Sequence, residues 1–178
     1  MPTGHVFIGT SLDGFISRKD GSLDWLILPE HKDEDHGYTA FIQKIDAIVM
    51  GRGSYEAVLG FDAWPYEKPV LVLSGQLAGT EPPQALRGKV SFADLTPRAA
   101  MDHLGRQGAS RVYVDGGQIV QAFLRDGLIA DMVISRVPVL IGEGRSLFGP
   151  LPRDAKFRHE RTVTFPSGLV QSHYSLRP

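Results

Sequence analysis

Short apolar runs, separated by polar or glycine-rich breaks, follow one another along most of the chain. The runs at residues 5–10, 47–50 and 70–73 are mostly apolar on both faces and predict buried strands. A weaker run at 90–92 and a longer one at 131–141 predict two further strands. Between these runs the apolar residues change to helical spacing, so strands and helices are expected to alternate.

Three segments between the strands carry helix signals. In the first, apolar residues on one helical face follow carboxylates that suit the positive end of a helix. The apolar residues are Tyr38, Phe41, Ile42 and Ile45, and the carboxylates are Glu30, Asp33, Glu34 and Asp35. Ser54 is the expected N-cap of a short helix through Leu59. Thr96 and Pro97 provide a cap and a first-turn proline for a helix to about Gln107.

The stretch at residues 110–127 predicts a strand, a glycine turn and a helix. A β-favouring run at 112–114 ends before Gly116 and Gly117, and apolar residues then recur at helical spacing. Such a turn leaves the first helical N–H groups unpaired, and glycine lets an anion approach them closely. Two interpretations stay open here: a phosphate site, or a glycine pair that only permits a sharp turn.

The alternation of strands and helices predicts an α/β fold with a mainly parallel sheet and helices on both faces. Residues 157–165 and 169–176 flank a Pro-Ser-Gly turn and predict a C-terminal antiparallel hairpin, which makes the sheet mixed. A chain of 178 residues is long enough for one substantial core, so residues 1–178 are expected to form a single domain.

Three of the predicted strands end in short polar or glycine breaks. These breaks are Gly51-Arg52, Ser74-Gly75 and Gly116-Gly117. In open α/β sheets, ligands bind beyond the carboxyl ends of the strands. The three breaks together therefore predict an extended, phosphate-bearing ligand that lies across the sheet.

Composition and charge narrow the functional class. A net charge of −1 gives no support for a nucleic-acid or membrane-surface binder. The absence of cysteine excludes disulfides, thiolate metal sites and cysteine nucleophiles, and it is typical of the cytoplasm, the predicted location. No signal peptide or membrane span is expected. His31 and His36 do not suit one helix face, so no metal site is expected.

Six segments, in their order and spacing, resemble the dihydrofolate reductase fold, and most closely its riboflavin-biosynthesis branch, the RibD C-terminal domain family. They are TSLDGFIS at 10–17, DWL at 24–26, VMGRGSYE at 49–56, VLSG at 72–75, VDGGQIVQAFL at 114–124 and PVLIGEGRSLF at 138–148. The resemblance spans nearly the whole chain. It implies an NADPH-dependent reductase that is typically a homodimer.

The resemblance also implies roles for individual residues. The loop after the first strand covers the nicotinamide, the glycine turn holds the pyrophosphate, and the break after the second strand holds the adenosine-side phosphate. The implied cofactor residues are Ile16, Ser17, Gly51, Arg52, Ser54, Ser74, Gly75, Gly116, Gly117, Gln118, Ile119 and Val120. The implied substrate residues are Thr10, Asp13, Trp25 and Asp115. A guanidinium grips a phosphate dianion bidentately, which favours NADPH over NADH.

Several of these side chains have a second interpretation. Arg52 also suits an ion pair with a surface carboxylate, and Asp13 a cap on its own loop. Trp25 is also a typical core residue. Asp115 would repel nearby phosphates, so it is expected either to orient a loop or to reach the substrate. Arg145, in a glycine-rich loop, either reaches the site or remains on a turn.

The implied reaction is hydride transfer from the nicotinamide to a C=N or C=O carbon of a small heterocyclic or ribosylamino substrate. No side chain is assigned as the proton donor, and water is able to supply the proton. By resemblance the substrate is 5-amino-6-(5-phosphoribosylamino)uracil. The alternatives are dihydrofolate or a pterin, or a non-catalytic nucleotide-binding paralogue. The zinc-deaminase signature that usually accompanies this domain is absent, which leaves another substrate open.

Overall fold

The computed structural model describes residues 1–26 and 34–177. The strands are β1 (Thr3–Thr10), β2 (Phe15–Ser17), β3 (Ala47–Gly51), β4 (Val70–Leu73), β5 (Val90–Ala93), β6 (Arg111–Asp115), β7 (Ile129–Arg136), β8 (Arg145–Ser146), β9 (Phe157–Thr164) and β10 (Val170–Leu176). The helices are α1 (Tyr38–Ile42), α2 (Arg52–Leu59), α3 (Pro97–Arg106) and α4 (Gly117–Arg125), with a 3-10 turn at Gln84–Leu86. Within the described ranges, no helix has the length and apolar character that crossing a membrane requires.

Eight of the strands form one sheet in the order β5-β4-β3-β6-β1-β7-β10-β9. The strands from β5 to β7 are parallel, whereas β10 runs antiparallel to both β7 and β9. Val49 in β3 lies opposite Leu71 of β4 and Val114 of β6. The predicted mixed, mainly parallel sheet with a C-terminal hairpin is therefore confirmed.

Side chains of the central strands supply a core on each face of the sheet, because successive residues of a strand point to opposite faces. On β3, Val49 joins the core cluster that contains α3 and α4 residues, and Ile48 joins the cluster that contains residues of α1 and α2. Both side chains are fully buried. Burial on two faces explains why these strands read as continuous apolar runs in the sequence.

The N-termini of two helices test the capping predictions. Thr96 caps α3 as predicted: its hydroxyl accepts from the N–H of Ala99, and Pro97 occupies the first turn. The prediction of Ser54 as an N-cap is wrong. The helix begins earlier, at Arg52, with Gly51 as its N-cap and no side-chain cap.

Two predicted loops contain a small second sheet. β2 lies within the loop predicted at 11–21, and β8 lies within the loop predicted at 142–152; they pair antiparallel. We call this two-stranded unit the β2–β8 ribbon. The long strand predicted through residue 141 ends at Arg136. The N–H of Val137 makes the last hydrogen bond to β1, to the carbonyl of Thr10 at 2.8 Å, and Pro138 has no N–H with which to continue the ladder.

Candidate functional site

A cleft of about 950 Å³ opens at the carboxyl ends of β1, β3, β4 and β6. Gly9, Gly51, Leu73 and Asp115 line it from these four strands. The three breaks predicted from the sequence follow β3, β4 and β6, which are adjacent in the sheet. The volume is at the upper end of the range for small-molecule sites, so it suits an extended ligand.

Two helices begin at this cleft without a side-chain cap. The N-cap of α2 is Gly51 and that of α4 is Gly116, and neither N-cap residue has a side chain that could accept from the first N–H groups of its helix. By contrast, α3 begins away from the cleft and is capped by Thr96. The uncapped helix starts therefore leave backbone N–H donors available where the cleft is, and such donors favour anions.

Glycine is required at the start of α4 by close contacts. Gly116 has a φ of +89°, and a Cβ atom there would lie 2.5 Å from the Ser54 Oγ atom of α2. A Cβ atom on Gly117 would lie 2.8 Å from the carbonyl oxygen of Ser146 in β8. The starts of α2 and α4 and the β2–β8 ribbon thus meet at the glycine pair.

Asp13 fixes the position of the β2–β8 ribbon. Its carboxylate accepts from the Ser11 hydroxyl at 2.6 Å and from the N–H groups of Ile141 and Gly142 at 3.3 and 2.8 Å. The hydrogen bond from Ser11 is the main cause that lowers the pKa of Asp13. This carboxylate joins the loop after β1 to the chain that leads into β8.

Asp115 places a carboxyl group between the two helix starts. Burial raises its pKa above the ordinary value, although hydrogen bonds from Tyr113, the Gly116 N–H and Ser54 oppose the rise. The Tyr113 hydroxyl donates to the carbonyl of Phe7 at 2.9 Å and lies 3.3 Å from the Asp115 Oδ1 atom. A carboxyl group with a raised pKa can hold a proton and donate it to a bound molecule.

Two arginines line the cleft. Arg52 lies in the first turn of α2, half exposed, with its Nη1 atom 3.4 Å from the Oε1 atom of Glu56. An ion pair between Arg52 and a surface carboxylate was the alternative to phosphate binding that the sequence suggested. An exposed pair of this kind contributes only about 0–1 kcal/mol, so a phosphate dianion is able to displace Glu56. Arg145 reaches the cleft from β8.

Comparison with known proteins decides the family. The sequence profile of the RibD C-terminal domain family matches residues 2–171. The chain belongs to this family. The uncharacterised protein YwjB of Bacillus subtilis (strain 168) is 34% identical over 173 residues, which cover 95% of each chain. A second uncharacterised protein of that strain, YyaP, is 28% identical over 94% of this chain and 91% of its own length.

Several solved structures share the architecture. A protein from Shewanella sp. PV-4, provisionally assigned to riboflavin biosynthesis, is 39% identical and superposes with a TM-score of 0.91 over 99% of both chains. Acinetobacter baumannii RibD, at 18% identity, gives a TM-score of 0.68, and this chain covers 59% of it. A deaminase/5-amino-6-(5-phosphoribosylamino)uracil reductase from Thermotoga maritima, at 14% identity, gives 0.74 over 57% of its length. The fold is therefore dihydrofolate reductase-like.

Most residues that the RibD resemblance assigns to the cofactor are brought together in the cleft. Eleven predicted cofactor or substrate residues line it: Ile16, Ser17, Gly51, Arg52, Ser54, Ser74, Asp115, Gly116, Gly117, Gln118 and Ile119. They come from the ends of β3, β4 and β6, the starts of α2 and α4, and β2. Their roles toward a ligand remain predictions.

Five predicted site residues are not among the residues that line the cleft. Val120 is fully buried in the core, and its N–H donates to the carbonyl of Gly116 at 2.8 Å. Thr10 is buried at the end of β1. The Asp13 carboxylate accepts from the N–H of Gly142, beside the β2–β8 ribbon. Trp25 is buried with Val137 and Leu169, in agreement with its alternative interpretation as core. The fifth, Gly75, faces the Asp94 carboxylate.

The acidic cluster that precedes α1 is only partly described, because Glu30 and Asp33 lie outside the described residues. Glu34 accepts from the N–H and hydroxyl of Ser167 at 2.8 and 2.6 Å. Hydrogen bonds from Ser167 and His36 lower the pKa of Glu34 to about 2. Asp35 accepts from the N–H of Gly37. Neither Glu34 nor Asp35 lines the cleft.

The residues that sequence reasoning missed are mainly apolar and aromatic. Phe7, Leu23, Phe61 and Tyr66 line the cleft but belong to none of the six segments that carry the resemblance. Leu26 also lines the cleft, and it lies in the DWL segment but was not assigned to the site. Phe7 lies inside a predicted buried strand, and Phe61 and Tyr66 lie in the chain between α2 and β4. No local pattern distinguishes such residues from core residues, so only the folded chain reveals them.

The glycine contacts predict a difference between two substitutions. Gly117→Ala is expected to lower the free energy of unfolding by about 1–3 kcal/mol, because its methyl group meets the backbone oxygen of Ser146. Gly53→Ala, in the first turn of α2, meets only the flexible Arg145 tip at 3.2 Å, so it should be neutral or stabilising by up to about 1 kcal/mol. Urea unfolding of both variants measures this difference. Equal stabilities would contradict the close packing of α4 against β8.

Proposed function

We propose that this protein is an NADPH-dependent reductase that transfers a hydride to a C=N or C=O carbon of a small heterocyclic or ribosylamino substrate. The observation that carries the proposal is the pair of uncapped helix starts, α2 and α4, that share one cleft with two arginines. Membership of the RibD C-terminal domain family supports a substrate like 5-amino-6-(5-phosphoribosylamino)uracil.

The residues of the cleft fit a phosphorylated dinucleotide. The backbone N–H groups of Gly117 and Gln118, at the start of α4, suit a pyrophosphate. Arg52, beside the end of β3, suits the 2′-phosphate that distinguishes NADPH from NADH. Ile16 and Ser17 of β2 suit the nicotinamide side. When bound, the nicotinamide would supply the hydride. The protein would bind and orient the cofactor and the substrate and exclude water from them.

Asp115 is our candidate for the proton donor of the reaction. It lies at the end of β6 in the cleft, and burial raises its pKa, so a protonated carboxyl persists to higher pH than for an ordinary aspartate. Reduction of a C=N bond needs a proton on nitrogen, and a carboxyl group that lines the cleft can supply it. Sequence reasoning assigned no proton donor because the burial of Asp115 is a property of the fold.

A folate or pterin substrate has less support. Folate reductases carry a carboxylate near the start of the first helix that orients the pterin, and of the four candidates here Glu30 and Asp33 lie outside the described residues. The other two, Glu34 and Asp35, are engaged with Ser167 and Gly37. The proposal also includes a homodimer, which the family resemblance implies, and a cytoplasmic location, which the absence of cysteine favours.

Turnover distinguishes the reductase from a nucleotide-binding paralogue. The wild-type protein is expected to oxidise NADPH, followed at 340 nm, with a ribosylaminopyrimidine, and more slowly or not at all with dihydrofolate. Saturable NADPH binding without oxidation in the presence of any of these substrates would support the non-catalytic alternative instead. Absence of NADPH binding would refute both.

Arg52→Ala is expected to weaken the binding of NADPH by about 10- to 100-fold and to change the binding of NADH little. The reason is that charged hydrogen bonds to the 2′-phosphate contribute about 1.5–3 kcal/mol. Isothermal titration of both cofactors measures the ratio. Glu56→Gln is the matched control. It removes the carboxylate that competes for Arg52, so the affinity for NADPH should rise or stay unchanged. Equal losses for NADPH and NADH in Arg52→Ala would count against the assignment.

The raised pKa of Asp115 predicts a pH profile. The protonated carboxyl is fully present below that pKa and is lost as the pH rises through it, so kcat should fall with rising pH. In Asp115→Asn this decline should disappear and kcat should be about 10²–10⁴-fold lower, while NADPH binding persists. An unchanged kcat profile in the variant would exclude Asp115 as the donor.

A further inference from the structure

We propose that Arg145 is the cation that binds the diphosphate group of the dinucleotide, whereas Arg52 binds only the 2′-phosphate of NADPH. This inference rests on the proposed function, because it assigns a residue to the cofactor of that reaction. It adds a cofactor ligand from β8, outside the predicted cofactor residues.

The guanidinium of Arg145 extends from the β2–β8 ribbon toward the start of α2. Its Nη2 atom donates to the carbonyl of Lys19 at 3.1 Å, which holds the side chain across the ribbon. Its Nη1 atom lies 3.2 Å from the position that a Cβ atom on Gly53 would occupy. Glycine at position 53 therefore leaves the space that the guanidinium uses.

Charge pairing leaves Arg145 available for an anion. Lys19 and Glu143, which lie in the chain beside the β2–β8 ribbon, pair with each other at 2.5 Å. In the described part of the chain, no carboxylate forms an ion pair with Arg145, whereas Arg52 is paired with Glu56 at 3.4 Å. Of the two cleft arginines, Arg145 is thus the one without a carboxylate partner among those residues.

The position of Arg145 matches the point where the two helix starts meet. Gly53 and Ser54 lie in the first turn of α2, and the Ser54 Oγ atom lies against Gly116, the N-cap of α4. An anion with two phosphorus centres can accept N–H bonds from both helix starts at once. A guanidinium beside this junction adds two parallel donors and the charge that backbone groups lack.

The test measures the affinities of NADPH, NADH, adenosine 2′-monophosphate and ribose 5-phosphate by calorimetry. Arg145→Gln should weaken NADPH and NADH by the same factor, about 10- to 100-fold, and leave adenosine 2′-monophosphate unchanged, because this nucleotide has no diphosphate. Arg52→Gln should give the opposite pattern, with NADPH and adenosine 2′-monophosphate weakened and NADH unchanged. Arg145→Lys should lose part of the affinity, because it keeps the charge but not the paired donors.

The control is Arg87→Gln, an exposed arginine that pairs with Glu81 and does not line the cleft; it should change no affinity. Unchanged dinucleotide affinities in Arg145→Gln, or loss of NADPH alone, would overturn the diphosphate assignment and leave the reductase proposal standing. Loss of ribose 5-phosphate binding alone would assign Arg145 to a substrate phosphate instead. If the wild-type protein binds neither dinucleotide, the reductase proposal fails as well.

Discussion

Unpaired backbone N–H groups at the starts of α2 and α4 are the constraint on which the account of the site depends. A glycine N-cap costs a helix only about a few tenths of a kcal/mol relative to serine or aspartate, so the fold tolerates both. What glycine changes is the access to the donors, because the N-cap residue itself places no side chain over the first N–H groups of the helix. Thr96, which caps α3 away from the cleft, shows that the chain uses an ordinary cap elsewhere.

The sheet brings these helix starts together. Parallel strands direct their carboxyl ends to the same edge, and β4, β3 and β6 are neighbours, so the chain leaves all three at one side of the molecule. The predicted breaks were correct in position because each depends on local sequence, glycine after an apolar run. Their adjacency followed from topology, which the alternation of strands and helices predicted in outline.

The features that the sequence could not predict depend on contacts between distant parts of the chain. β2 and β8 are too short to give a periodic signal, and their loops are joined by long-range bonds such as those from residues 141–142 to Asp13. The sequence suggested either a site role for Asp13 or a cap on its own loop, and its carboxylate in fact bonds Ser11 of that loop as well as residues 141–142. Likewise, the raised pKa of Asp115 depends on burial, and the helix of Ser54 begins before the residue that looked like its cap.

The central claim is that one phosphorylated nucleotide contacts both uncapped helix starts, and amide chemical shifts measured during an NADPH titration test it most directly. The account predicts that the amides of Gly53, Ser54, Gly117 and Gln118 shift together along one saturation curve. The amide of Ala99, which already donates to Thr96, should not move. Shifts confined to one helix start, or saturating NADPH that moves neither, would contradict the account.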